Sequence, residues 1–223
     1  MEYDIWYHLL NCGIILPAST GSDWYVCSNN RVYVQTEEAF TYTNWIDGLR
    51  QGRTFITNAP ALFIQVDGQQ PGGTIETGKR RVTGRVWWNS FYPLKRVEIV
   101  RDGEVIHQQM LDGGKQLREG DWQFDVEVEN DGWIATRVYG DARDSFAQPV
   151  YAHTSPIYIG SGLPQHKVKE SADFFLRAVE TSAKLIQHFG RFARDEQREE
   201  VLHLFHEGRK VYADLVNKRG PAS

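Results

Sequence analysis

From Arg53 to Ile159 the residues alternate between apolar and polar, and this alternation constrains the fold more than any other feature of the chain. Val82, Gly84, Val86 and Trp88 alternate with Thr83, Arg85 and Trp87. Val97 and Ile99 alternate with Arg96, Glu98 and Val100, and Phe124 and Val126 with Asp125 and Glu127. Ile134, Thr136 and Val138 alternate with Ala135, Arg137 and Tyr139. Successive side chains of a strand point to opposite faces, so this period writes sheets with one dry and one wet side. Turn signals separate the runs: Asp67-Gly68, Pro71-Gly72-Gly73, Asp102-Gly103, Asp112-Gly113-Gly114 and Asp131-Gly132. Short strands at this spacing predict an antiparallel β-sandwich of roughly seven to nine strands. Its inward side chains are expected to include Val86 or its neighbour Trp87, then Val97, Ile99, Phe124, Val126, Ile134 and Val138.

Helical patterns flank the alternating region. Ile5, Trp6, Leu9 and Leu10 put an apolar stripe on one side of a helix over 3–11, which Cys12-Gly13 ends. A second helix is predicted over 44–51, capped by Thr41 or Thr43 and closed by a left-handed turn at Gly52. After the Gly/Ser/Pro linker 160–164, two apolar stripes predict a helical hairpin. One runs from Phe174 through Phe189 and the other from Val201 through Val216.

The apolar run Gly13-Ile14-Ile15-Leu16-Pro17 leads into Ser19-Thr20-Gly21-Ser22-Asp23 and reads as a brief strand that ends in a tight turn and presents a carboxylate, followed by the strand Arg31-Val32-Tyr33-Val34. Then comes WIDGLRQGRTFITNAP, residues 45–60. Together these segments resemble the closing motif of the PHP (polymerase and histidinol phosphatase) superfamily barrel, and within it the CehA/McbA family of metallohydrolases. In that resemblance Asp23 is the closing metal ligand. Trp45, Gly48, Leu49, Gly52, Arg53, Thr54, Phe55, Thr57, Asn58 and Pro60 match the helix and strand that leave the barrel. The resemblance implies a mixed α+β chain in three parts. Residues 1–60 are a C-terminal remnant of a PHP-type β/α barrel, 61–160 an antiparallel β-sandwich, and 165–218 a C-terminal helical hairpin. It also implies that the intact family protein uses a divalent metal (Zn, Mn or Fe) to activate water and cleave an ester, amide or phosphoester bond.

The same resemblance shows what these residues lack. Family members carry a His-x-His pair near the start of the barrel and further ligands before the closing Asp; only His8 precedes Asp23 here. Where many members close with Asp-x-His, this chain has Tyr25. Open zinc sites use three protein ligands, so Asp23 alone does not hold a catalytic ion tightly. The expectation is a hydrolase portion that is inactive in isolation, whose partners are a small-molecule substrate and the N-terminal barrel segment. Arg31, Arg53 and Asn58 are the substrate-binding candidates; the arginines either grip an anionic group or pair with structural carboxylates. No catalytic residue is assigned.

The alternative belongs to another class: a non-enzymatic binding or interaction module built on the sandwich, with Trp87-Trp88, Phe91 and Tyr92 as a ligand platform. His203 and His206 sit three apart on a helix, but no further ligands stand near them in the sequence. Cys12 and Cys27 read as small buried thiols. A net charge of -4 gives no field that favours nucleic acid, and no apolar run is long enough to span a bilayer. The apolar face of the first helix needs a cover, which the sandwich, the hairpin or self-association would supply. Compartment stays open.

Overall fold

The computed structural model describes residues 4–22, 28–36, 39–76, 78, 81–112 and 117–217. They form a mixed α/β architecture with two sheets, four helices and a C-terminal helical hairpin. The chain divides into two compact units, Ile15–Gly162 on the one hand and Met1–Ile14 with Leu163–Ser223 on the other.

The larger unit holds all the strands. β1 (Arg31–Val34), β2 (Thr54–Thr57), β4 (Thr74–Ile75), β9 (Gly132–Arg143), β10 (Pro149–Thr154) and β11 (Ile157–Ile159) form one sheet in the order β1-β2-β10-β9-β11-β4. β6 (Arg96–Arg101) also pairs with β9 and carries β7 (Glu104–Met110) at its outer edge. The second sheet is β3 (Ala61–Val66), β5 (Arg81–Asn89) and β8 (Glu119–Glu127), antiparallel throughout. The inner faces of both sheets meet in one core that includes Leu62, Ile64, Val86, Trp88, Val97, Ile99, Phe124, Val126, Ile134 and Val138. The pleat therefore selects Val86, not Trp87, as the inward residue; Trp87 is half-buried on the other face.

One wet side per sheet holds for the small sheet. There Arg81 pairs with Asp125, and Arg85 with Asp121, across exposed strands. It fails for the large sheet. Trp133, Ala135, Val100 and His153 are fully buried although they alternate with core residues. Glu98, the polar partner of that alternation, is 3% exposed. It is held by Arg137 at 2.6 Å and Arg96 at 2.7 Å, which gives the buried carboxylate the two cations it needs. Alternation could not announce this second dry face, because charged residues remain in it as a paired set.

α2 (Tyr42–Arg50) packs beside β1. Thr41 caps it, its Oγ1 accepting from Asn44 N at 3.1 Å, and Gly52 follows at φ +73° as the turn demands. A Cβ at Gly48 would collide with Val34, so this glycine is what lets helix and strand approach.

The smaller unit is helical. α1 (Asp4–Asn11) buries Tyr7 and Leu10 and contacts α3 (Gln165–Phe189). His8 Nδ1 lies 2.9 Å from Ser171 Oγ, and its ring stacks on Phe174. Helix α3 thus packs against the first helix, and of the expected apolar face Leu10 is buried while Ile5 stays 56% exposed. α3 and α4 (Asp195–Asn217) form the hairpin itself, with Phe175 stacked on Tyr212 and Arg209 paired with Glu180. No helix among the described residues is long and apolar enough to cross a membrane.

Candidate functional site

Asp23 and Cys27 lie outside the described residues, but both flanks of 23–27 are described and both are fastened to the large sheet. On the upstream side Ala18 N donates to Ser155 Oγ at 2.8 Å, and Thr54 Oγ1 donates to Ala18 O at 2.8 Å. Thr54 and Ser155 hydroxyls meet at 2.6 Å. All three residues are buried, so these bonds form away from competing water. On the downstream side Asn29 Nδ2 donates to Ser145 Oγ at 2.9 Å, and Tyr151 OH donates to Asn30 Oδ1 at 3.0 Å.

A third clamp sits under the downstream flank. Asn58 Nδ2 donates to Asp144 Oδ2 at 3.0 Å and to Pro149 O at 2.9 Å, while its Oδ1 accepts from Tyr151 N at 2.8 Å. Asp144 Oδ1 accepts from the main-chain N–H groups of Phe146 and Gln148. Burial alone would raise this carboxyl's pKa; the donors from Gln148, Phe146, Asn58 and Asn29 outweigh it and bring the group below the ordinary range. Burial lifts the Tyr151 phenol to about 12, with the hydrogen bond to Thr20 opposing and the Asp144 charge adding, so it stays a neutral donor.

Arg31, Arg53 and Asn58 do not converge. Arg31 is paired with Thr57 in the β1–β2 register, at the same end as Asn58. It is exposed and turns back on its own loop, donating to Ser28 O at 3.3 Å and Asn30 O at 3.2 Å. Asn58 is buried and both ends of its amide bind protein groups. Arg53 lies just before β2, about 13 Å along the strand from Thr57 at the usual rise per residue.

At the Arg53 end is a 610 Å³ cavity between the two sheets' edges, lined mainly by apolar side chains. Tyr33 stacks on Phe55 with centroids 5.0 Å apart, Phe55 meets Phe63 edge-on at 5.4 Å, and Phe63 stacks on Trp87 at 5.4 Å. The expected platform of Trp87, Trp88, Phe91 and Tyr92 is not assembled, because Trp88 turns into the core while Phe91 stays 79% exposed. Trp87 belongs instead to this row. Sequence reasoning placed Phe55 only in the family match and did not single out Phe63; the signal for both was an aromatic residue at an outward strand position.

No group of three or more His, Cys, Asp or Glu side chains among the described residues is arranged to hold a metal ion. Burial pushes the Cys12 thiol up to about 11, which keeps it protonated.

No family profile matches the chain, and no curated protein matches it. Three solved structures are similar over part of it. The CARDB domain of a Pyrococcus furiosus protein is 12% identical, covering 46% of this chain and 96% of that one, with a TM-score of 0.30. A Niemann-Pick type C2 protein from the Japanese carpenter ant is 12% identical over 44% of this chain and 90% of its own, TM-score 0.25. A lytic polysaccharide monooxygenase from Jonesia denitrificans is 10% identical over 68% and 92%, TM-score 0.27.

Proposed function

We propose that this chain is the C-terminal part of a metal-dependent hydrolase similar to the CehA/McbA family, in which Asp23 is one metal ligand and the others come from a His-x-His barrel segment that is not among these 223 residues. On this reading the region 1–60 is the end of a PHP-type barrel, the metal is Zn, Mn or Fe, and the substrate is a small ester, amide or phosphoester. The observation that carries it is that described residues on both sides of 23–27 are hydrogen-bonded to the large sheet. Hydrogen bonds with Thr54, Ser155 and Tyr151 hold Ala18 and Asn30 against β2 and the β10 segment. Such fastening is what a loop needs if it must present a ligand at a fixed place. Arg31 and Asn58 stand at the same end, Arg31 exposed and Asn58 tying Asp144, Pro149 and Tyr151 together.

The test is reconstitution. A barrel half carrying the His-x-His pair, added to this chain, should yield a Zn²⁺ site tighter than either piece offers. Asp23→Ala should abolish the gain while leaving the circular dichroism unchanged. A mixture that binds no better than its separate parts, or a gain indifferent to Asp23→Ala, would reject the reading.

The aromatic cavity favours a second reading, a non-enzymatic binding module, because a cavity of 610 Å³ is in the size range of small-ligand sites. Ligand uptake with no metal dependence, in the presence of the barrel half, would select it.

A further inference from the structure

We propose that the cavity beside β1 and β2 is a binding site for a small amphiphile with an unbranched apolar chain and an anionic head, such as a medium-chain carboxylate. The register gives the cavity a polar and an apolar end. Tyr33 is directly paired with Phe55, and Gln35 N donates to Arg53 O one pleat repeat away. Side chains two apart on a strand share a face, so Arg53 and Gln35 sit about 6.7 Å from the Tyr33–Phe55 pair on the same face. Beyond that pair the walls continue through Phe63 and Trp87, directly opposite each other on β3 and β5. The site is thus a cationic end followed by a row of rings.

Ring geometry selects the chemical class. Tyr33 and Phe55 lie within 9° of parallel, Phe63 and Trp87 within 14°. Each stacked partner covers one face of the other, Phe55 and Phe63 meet edge-on, and Arg85 lies over the Trp87 ring, so the row leaves less open ring face than four separate rings would. A sugar stacks on an open ring face, whereas a methylene chain packs against edges and faces alike. Apart from the Tyr33 hydroxyl and the Trp87 indole N–H, the side chains along this stretch are apolar, with Ala59, Pro60 and Ala61 beside the rings. At the other end, Arg53 carries five N–H donors, so an existing contact leaves donors for a carboxylate. This inference stands whether or not Asp23 holds a metal.

The experiment uses the full chain, decanoate below its micelle concentration, decanol and cellobiose. Decanoate should bind saturably at one site and shift the Trp87 indole N–H resonance while leaving that of Trp122 unmoved. Arg53→Gln should weaken decanoate about ten- to a hundredfold, the worth of a hydrogen bond to a charged group. The same variant should leave decanol binding within about twofold, a split that a merely structural arginine would not produce. Non-saturable decanoate uptake, shifts centred away from Trp87, an equal loss of decanol binding in Arg53→Gln, or binding of cellobiose in place of decanoate would each overturn the proposal. The resonance arm needs no variant, so a misfolded substitution does not shelter the idea.

Discussion

The indole of Trp88 occupies the space that a side chain at position 120 would need. Phe124 does the same over Gly84. Both are direct cross-strand pairs between β5 and β8, with the aromatic residue on opposite strands in the two cases. The small sheet therefore builds its dry face from two large rings, each laid over a glycine, and neither glycine can grow.

Gly84→Ala and Gly120→Ala should each destabilise the protein by about 1–3 kcal/mol, the usual cost of forcing extra volume into a packed core. Phe124→Ala should cost about 3–5 kcal/mol, since it empties an aromatic site. Denaturant unfolding measures all three, and a loss below about 1 kcal/mol in Phe124→Ala would contradict the packing described.

Asn58→Leu removes three hydrogen bonds at once and leaves the Asp144 carboxylate, Pro149 O and Tyr151 N short of partners. Each buried group so orphaned costs about 1–3 kcal/mol. Acid sensitivity should change too. The folded pKa of Asp144 lies below its ordinary value, so its contribution is complete above about pH 4 and drains away as pH falls through the folded value. Thermal unfolding across the acid range should show a shallower decline in Asn58→Leu than in the wild type.

His153 titrates in the opposite setting. It is fully buried, and desolvation chiefly depresses its pKa from 6.5 to about 3, with the Arg137 charge adding and the Thr154 hydrogen bond opposing. Between those values only the unfolded chain takes the proton, so stability must fall as pH falls below 6.5. The slope approaches about 1.4 kcal/mol per pH unit. His153→Gln should flatten stability between about pH 7 and 5. Denaturant midpoints at a series of pH values decide it, and an unchanged slope would remove His153 from the account.

The isolated chain should turn over neither aryl esters nor aryl phosphoesters in Zn²⁺ or Mn²⁺. Activity that survives purification and vanishes in Asp23→Ala would refute this expectation and locate a complete centre within these residues.

Strand faces were legible because pleat writes itself into sequence: Val97, Ile99, Phe124, Val126, Ile134 and Val138 all turn inward. Helix ends were legible for the same local reason, as at Thr41 and Gly52. What stayed hidden is long-range. Nothing near Asn58 foretells Asp144, and nothing near Ala18 foretells Ser155. The second dry face of the large sheet escaped because Glu98 keeps its charge beneath two arginines. At the Asp23 end, the residue types were readable, but which neighbours fasten the loop depends on partners many strands away.

The strand order of the large sheet also has a consequence during synthesis. β2 can pair with β1 as soon as it is made, but its other edge finds β10 only when Tyr151, 94 residues downstream of Thr57, has been made. Translation at roughly 5–20 residues per second leaves that edge waiting for about 5–20 s. The three strands of the small sheet need nothing beyond Glu127 and emerge sooner. A nascent chain should therefore display one open edge of β2 to the cell's chaperones until β10 arrives.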